Sequence, residues 1–227
     1  MTRSPKQPIL YQDILKVPEK YLRFATPEVV ALYRADKLRC EKLVEIGAGI
    51  GGQTFAFAKV CGKVLAIESD KSSANILIEN LKKLKIQNVE VLVADALSKK
   101  AVEKIKNFQP NVIFCDTERP EKAERTLEAI KPSIKKLLEF SEITPNIAIE
   151  IPPFTKIENF DYDYEKEFIS LNQQLNRLTL YFNELKQNDV SVVALPSKEK
   201  ITNEIQKQKI KKISNPEYLY STDRKSV

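Results

Sequence analysis

The sequence predicts a doubly wound α/β fold, a mostly parallel sheet with helices on both faces. Three observations predict it. Short apolar runs alternate with helix-like runs between positions 42 and 151, at the spacing of about 25 residues that βα units take. The apolar runs scarcely alternate with polar residues, as strands buried on both faces do. All 5 glycines lie between positions 47 and 62, and four of them fill the turn 47–52 after the first strand-like run. Glycine is needed where backbone reaches positive φ or approaches another group with no Cβ in the way. A strand, a glycine turn and a helix together hold a nucleotide-like ligand at the carboxyl edge of such a sheet.

Taken in order, positions 1–8 carry two prolines and no periodicity, a loose lead-in. Positions 9–16 place Ile9, Leu10, Ile14 and Leu15 at helical spacing, and Pro18 interrupts the pattern. Thr26, Pro27 and Glu28 read as a helix start, with Thr26 as cap and Pro27 in the first turn. That helix, 27–40, would pack Val29, Val30, Leu32, Tyr33 and Leu38 before the first strand. Strands follow at 42–46, 63–67, 88–93, 111–115 and 146–151. Helices follow the first four at 53–61, 72–84, 97–107 and 120–140. After Pro152 an acidic, aromatic stretch leads to strand-like runs at 167–171, 177–182 and 190–195. The last two read as an antiparallel hairpin closing the sheet. A lysine-rich tail with helical spacing at Ile201, Ile205 and Ile210 ends the chain. The expected organisation is a helical segment 1–40, a ligand-binding domain 41–196 and a basic tail 197–227.

Composition limits the chemistry. The chain of 227 residues is 42% hydrophobic and 30% charged, as globular chains are. No run approaches the roughly 18 apolar residues of a membrane span, and the N-terminus has no apolar core of a signal peptide. Cys40, Cys61 and Cys115 show no paired spacing. They read as small hydrophobes in a reducing, cytoplasmic compartment, with no metal set. There is no histidine, which excludes a histidine base, a catalytic triad and histidine-ligated metal. The net charge of +6 fits acidic partners such as nucleic acid, or merely a lysine-rich surface.

Three acids end successive strands: Glu45, Glu68 and Asp95. Glu45 opens a glycine rhythm at Gly47, Gly49 and Gly51 that repeats every second residue. This pattern resembles class I S-adenosylmethionine-dependent methyltransferases. The resemblance implies that the glycines admit the methionine and ribose parts of the cofactor. Glu45 would stand near the cofactor's amino acid end, Glu68 would accept the ribose hydroxyls, and Asp95 would stand near the adenine. The same turns would bring Ala48, Gln53, Ser69 and Ala96 to the cofactor. Strand four ends in Cys115-Asp116-Thr117-Glu118-Arg119-Pro120, the edge that faces methyl and substrate in these enzymes. Asp116 is the candidate to orient or deprotonate a nucleophile and to touch the cofactor. Glu118 and Arg119 are candidates to grip a substrate, with helix N-terminal electrostatics as the other reading of Glu118. Enzymes that methylate exocyclic amines often carry Asn or Asp, a proline pair and an aromatic here. This chain has no proline pair after Asp116. Pro152-Pro153-Phe154 imitates that motif after strand five and reads as a rigid strand exit. Glu150, within strand five, requires a partner or a role in the site.

A wider resemblance spans about 22–223, through 25–35, the glycine turn, Asp116 with Arg119, and Tyr218-Leu219-Tyr220 with Asp223. These segments resemble uncharacterised methyltransferases related to trimethylguanosine synthase, whose bacterial members carry a THUMP-like domain after the catalytic one. The expected function is methylation of RNA, whether tRNA, rRNA or a cap-like guanine. Methylation of a protein or small molecule, or a silent cofactor-binding subunit, are the alternatives. The strand-four segment departs from the related Asp-Pro-Ala-Arg-Arg, and the chain is expected to stop where the appended domain would begin. A separate recognition subunit or a homo-oligomer would then complete it.

Overall fold

The computed structural model describes residues 8–203, apart from Lys16, 19–20, 22–24 and Glu121. The helix α1 (Glu28–Lys37) precedes the sheet. Then come β1 (Lys42–Ile46), α2 (Thr54–Val60), β2 (Lys63–Glu68), α3 (Lys71–Lys83), β3 (Val89–Val93), α4 (Lys99–Phe108) and β4 (Val112–Asp116). The short helix α5 (Ile134–Leu138) leads to β5 (Ile147–Ile151), β6 (Tyr164–Leu171), β7 (Gln174–Phe182), β8 (Val190–Leu195) and β9 (Glu199–Thr202). One nine-stranded sheet forms in the order β3-β2-β1-β4-β5-β7-β6-β8-β9. β1 to β5 are parallel, and β7 joins β5 antiparallel. The strand order reverses between β1 and β4, and a doubly wound sheet opens a crevice at that point.

Strand alternation divides the core. Val44, Ile46, Ile113, Cys115, Ile147, Ile149 and Ile151 face one layer, filled by Ile105, Ile134 and Leu137. Leu43, Val64, Ala66, Phe114, Ala148 and Tyr181 face the other, filled by Ala31, Ala35, Phe55, Phe57 and Leu77. α1 reaches further, setting Val30 on Ile169, Leu171, Val193 and Leu195. Local chemistry fixes the helix starts. The Asp70 carboxylate accepts from the Ser73 N–H to cap α3, and the Ser98 hydroxyl accepts from the Ala101 N–H to cap α4. Among the described residues no helix is long and apolar enough to cross a membrane.

Several expectations are corrected. Residues 9–15 form successive turns, not a helix, although Ile9, Leu10 and Leu15 are buried. Thr26 is buried and does not cap α1, and Pro27 occupies the cap position. The buried face of α1 is Val30, Ala31, Arg34 and Ala35. The long helix at 120–140 does not form. Pro132 lacks a donor and its ring clashes with the preceding turn, so the segment breaks into Leu127–Ala129, α5 and Glu139–Glu142. β3 is an edge strand and only partly buried. The hairpin joins β6 to β7 through Asn172 and Gln173, both at positive φ. β8 instead lies parallel to β6. Glu199 to Thr202 is a strand, so the sheet runs past residue 196 and the helical reading at Ile201 fails. Ile205, Ile210 and residues 218–223 lie outside the described residues.

Candidate functional site

The crevice at the switch point is a cavity of about 1410 Å³. Its wall takes in Glu45, Gly47, Ala48, Gly49, Gln53, Glu68, Ser69, Asp95, Ala96, Asp116, Glu118 and Arg119. Of the residues expected from sequence, only Gly51 is missing from that wall, and Gly52 stands there instead. At Gly51, φ is +102°, and a Cβ would lie 2.5 Å from Phe55 and 2.7 Å from Leu77. Its glycine therefore serves the packing of α2 and α3. Gly47 has φ +81°, and a Cβ there would stand 2.5 Å from the Asp116 carbonyl oxygen. Glycine at 47 lets the ends of β1 and β4 close together, which brings Glu45 and Asp116 to one wall.

The carboxylates differ in how they are held. Glu68 accepts from the Gly49 N–H and the Asp70 N–H, both at 2.7 Å, so it is oriented by the glycine turn. Asp95 is exposed and accepts from the Leu97 N–H at 2.8 Å, closing its own turn. Glu45 is 1% exposed, and its Oε2 has no hydrogen-bond partner. Burial pushes its carboxyl up to about 8. Burial, then the neighbouring Glu150 charge, pushes Asp116 up to about 7, although Arg177 and Arg34 oppose this. The Thr54 hydroxyl beside it lowers the carboxyl less than burial raises it; a buried acceptor short of donors is costly, so Glu45 marks a place where a charged donor would be stabilising.

Behind these acids lies an ion-pair set that the sequence reading missed. Arg34 is fully buried on α1 and gives hydrogen bonds to Glu150 and, at 2.9 Å, to the Gln53 side chain. Arg177 on β7 meets the other Glu150 oxygen at 2.7 Å. Glu150, left open between a partner and a site role, is both paired and part of the cavity wall. Gln53 also donates to the Ala31 carbonyl at 3.0 Å, so α1 holds its amide in place at the cavity wall. The signal for Arg34 was present: it falls between Val30 and Leu38 on the apolar stripe of α1.

The substrate-gripping candidates are placed differently from each other. Glu118 is exposed, and its backbone pairs with Lys131 in both directions at 2.9 Å. No helix follows it, so helix electrostatics does not apply. The Arg119 guanidinium folds onto its own loop, donating to the Pro120 and Ala123 carbonyls. Lys131, Pro132, Ile151, Pro152 and Pro153 complete that end of the cavity. Among the described residues no group of His, Cys, Asp and Glu could hold a metal ion.

The same face of the sheet carries a second acidic pair. Asp116, Glu150, Thr179, Glu167 and Ser191 lie side by side across β4, β5, β7, β6 and β8. Glu167 accepts from Lys37, Tyr33 and Tyr181 at 2.7, 2.9 and 3.0 Å. Glu165 accepts from Ser191 at 2.5 Å and the Gln187 N–H at 3.0 Å.

The family described as ribosomal RNA adenine dimethylase matches residues 30–152, more than half of the chain. The assigned ribosomal RNA small subunit methyltransferase A of Methanosphaera stadtmanae is 43% identical over 68 residues, 30% of this chain and 25% of that relative. The assigned cobalt-precorrin-6B C(15)-methyltransferase (decarboxylating) of Methanococcus maripaludis strain C7 is 27% identical over 135 residues, 59% of this chain and 70% of that one. A candidate methyltransferase from Porphyromonas gingivalis W83 superposes with a TM-score of 0.66 at 18% identity. The superposition covers 77% of this chain and 45% of the Porphyromonas chain. The chain thus matches about a quarter of the ribosomal RNA relative and under half of the structural one.

Proposed function

The chain belongs to the ribosomal RNA adenine dimethylase family, and from that premise we propose that it is a class I S-adenosylmethionine-dependent methyltransferase acting on RNA. One observation carries the cofactor assignment: the buried Glu45, whose Oε2 makes no hydrogen bond and beside which the protein sets only the neutral Thr54 hydroxyl. A cationic ammonium suits it, since an opposite charge favours the ionised carboxylate. Glu68, already turned by Gly49 and Asp70, would take the ribose hydroxyls with its remaining lone pairs. Asp95 and Ala96 would flank the base.

When bound, S-adenosylmethionine supplies a methyl group on a sulfonium, an electrophile that needs no further activation. The protein's share is alignment and proton removal. Asp116 stands beside Gly47 at the end of β4 with its carboxyl near neutrality, suited to orient an acceptor amine and take its proton. Arg34 and Arg177, fixed on Glu150, limit how far Asp116 is pushed up. The excess of cations over acids in the chain favours a phosphate-bearing acceptor.

The finer resemblance, to THUMP-like-domain methyltransferases related to trimethylguanosine synthase, belongs to this proposal, as do a recognition subunit on another chain and a cytoplasmic setting. The cobalt-precorrin relative, matched over 70% of its length, favours a small-molecule acceptor as the second reading. The test incubates the chain with radiolabelled cofactor, small-subunit ribosomal RNA, total protein and a tetrapyrrole acid. Label in RNA supports the proposal. Label only in the tetrapyrrole or protein fraction overturns its RNA part. No label in any fraction, with the cofactor bound, turns it into a silent binding subunit.

A further inference from the structure

The cavity has two ends. β1, β2 and β3 build the first, with Glu45, Glu68 and Asp95. β4, β5 and β7 build the second, with Asp116, Lys131, Pro152, Pro153 and Arg177. Ligand cavities typically hold about 300–1,000 Å³, so 1410 Å³ leaves room for an acceptor beside a cofactor. The second end carries an apolar feature that the fold does not use. Phe154 is 59% exposed, the most exposed large apolar side chain among the described residues. It directly follows two prolines of the cavity wall.

Phe154 is exposed on a pinned loop. Thr155 returns to the Pro152 carbonyl with its N–H at 3.0 Å and its hydroxyl at 2.7 Å. The Lys156 N–H donates to the Arg125 carbonyl at 2.8 Å, and Thr126 forms a β-bridge with Lys156. These bonds set the exposed Arg125 guanidinium 5.5 Å from the Phe154 ring centre. A held, exposed aromatic face with a cation against it and an acid at the cavity floor is the set of groups that takes a stacked base with its phosphate. Lys131 and Lys156, both exposed, add positive charge at this end.

Resting on the methyltransferase reading above, we infer that Phe154 and Arg125, which flank the cavity next to its wall residue Pro153 rather than line it, form the stacking platform for an unpaired RNA base whose neighbour enters at the Asp116 end. The aromatic that the strand-four segment lacks would thus come from the exit of the neighbouring strand.

The chain has no tryptophan, so a variant carries one reporter. Phe154→Trp should be quenched by a mixed-sequence single-stranded RNA 12-mer and not by its abasic counterpart. Tyr162→Trp, exposed but packed against Phe160 rather than beside the wall prolines and Arg125, should respond to neither. Phe154→Ala and the apolar but non-planar Phe154→Leu should weaken binding of the 12-mer roughly tenfold to a hundredfold. Phe154→Tyr should restore it, and cofactor affinity should hold throughout. Equal quenching by the abasic strand, or binding by Phe154→Leu at the wild-type level, overturns the platform. Base-dependent quenching without any methyl transfer leaves the platform and sinks the enzymatic reading. Methyl transfer to RNA that is indifferent to Phe154→Ala does the reverse.

Discussion

One face of the sheet carries two carboxylate pairs that are treated in opposite ways, Glu165 with Glu167 and Glu45 with the half-buried Asp116. At Glu165 and Glu167 every demand is met. Ser191, Gln187, Tyr33, Tyr181 and Lys37 donate, and Lys200 stands 3.5 Å from Glu165. Burial works against the Glu165 charge, yet these donors hold its carboxyl below the usual range. At Glu45 and Asp116 the supply falls short: Glu45 Oε2 has no donor, and both carboxyls are pushed up. A buried network with every member satisfied serves the fold. A buried acid left unsatisfied points to a ligand that completes it, or to chemistry. The sheet face is continuous between the two pairs, so this difference in supply marks where the fold ends and the site begins.

The largest effect is expected on chemistry. Asp116→Asn should lower methyl transfer by roughly 10²–10⁴-fold in single-turnover assays. Its cofactor affinity should stay within about threefold of wild type, the retention expected for a group that contacts the acceptor. Equal rates would remove Asp116 from the mechanism. Next is Arg34→Met, which leaves Glu150 to Arg177 alone and empties a fully buried site beside one of its oxygens. Breaking a buried pair costs about 3–5 kcal/mol, read as a drop in urea unfolding stability.

Glu45→Gln and Glu167→Gln should separate the two pairs. Glu167→Gln loses charge-assisted bonds worth about 1.5–3 kcal/mol each in stability. Glu45→Gln removes an uncompensated buried acid, so stability should hold or rise while cofactor affinity falls roughly tenfold to a hundredfold. Matched losses of stability in both variants would erase the distinction.

The smallest effect is on pH dependence, and its sign differs between the pairs. Glu45 holds a proton in the folded chain from its ordinary 4.5 up to about 8. Its contribution to stability is fully present below about 4.5 and is lost as pH rises toward 8, with a slope of at most about 1.4 kcal/mol per pH unit. Glu165 is shifted down, so its contribution is present at neutral pH and lost as pH falls through its folded value. Unfolding curves of Glu45→Gln and Glu165→Gln from about pH 2 to 9 should therefore each flatten a different limb, the alkaline one for Glu45 and the acid one for Glu165.

The two ends of the cavity were not equally legible in the sequence. The cofactor end is local: Glu45 to Gln53 is one continuous turn, and Glu68 and Asp95 each end the next strand along. Its residues could be named because strand, turn and helix occur in sequence order. Within it the packing of Gly51 against Leu77 and the bond of Gln53 to Arg34 were not legible, since those partners come from other elements. The acceptor end is assembled from residues 34, 116, 150 and 177, which only the strand order brings together. Pro132 was visible but overridden by the helical spacing around it, although its missing donor made a single long helix untenable. The hairpin was assigned to the wrong pair of strands. Asn172 and Gln173 carry the positive φ of the turn without the glycine that usually announces one.

The central claim is that Glu45 is left unsatisfied for a cationic cofactor. Titration calorimetry of S-adenosylmethionine at pH 7, in two buffers of different ionisation enthalpy, tests it most directly. A carboxyl pushed up to about 8 is mostly protonated at that pH and must ionise to meet an ammonium. The account predicts that the wild-type chain releases close to one proton more on binding than Glu45→Gln does, since Asp116, near 7, can release protons in both. Binding that releases no proton in the wild type, or the same number in both, would contradict it.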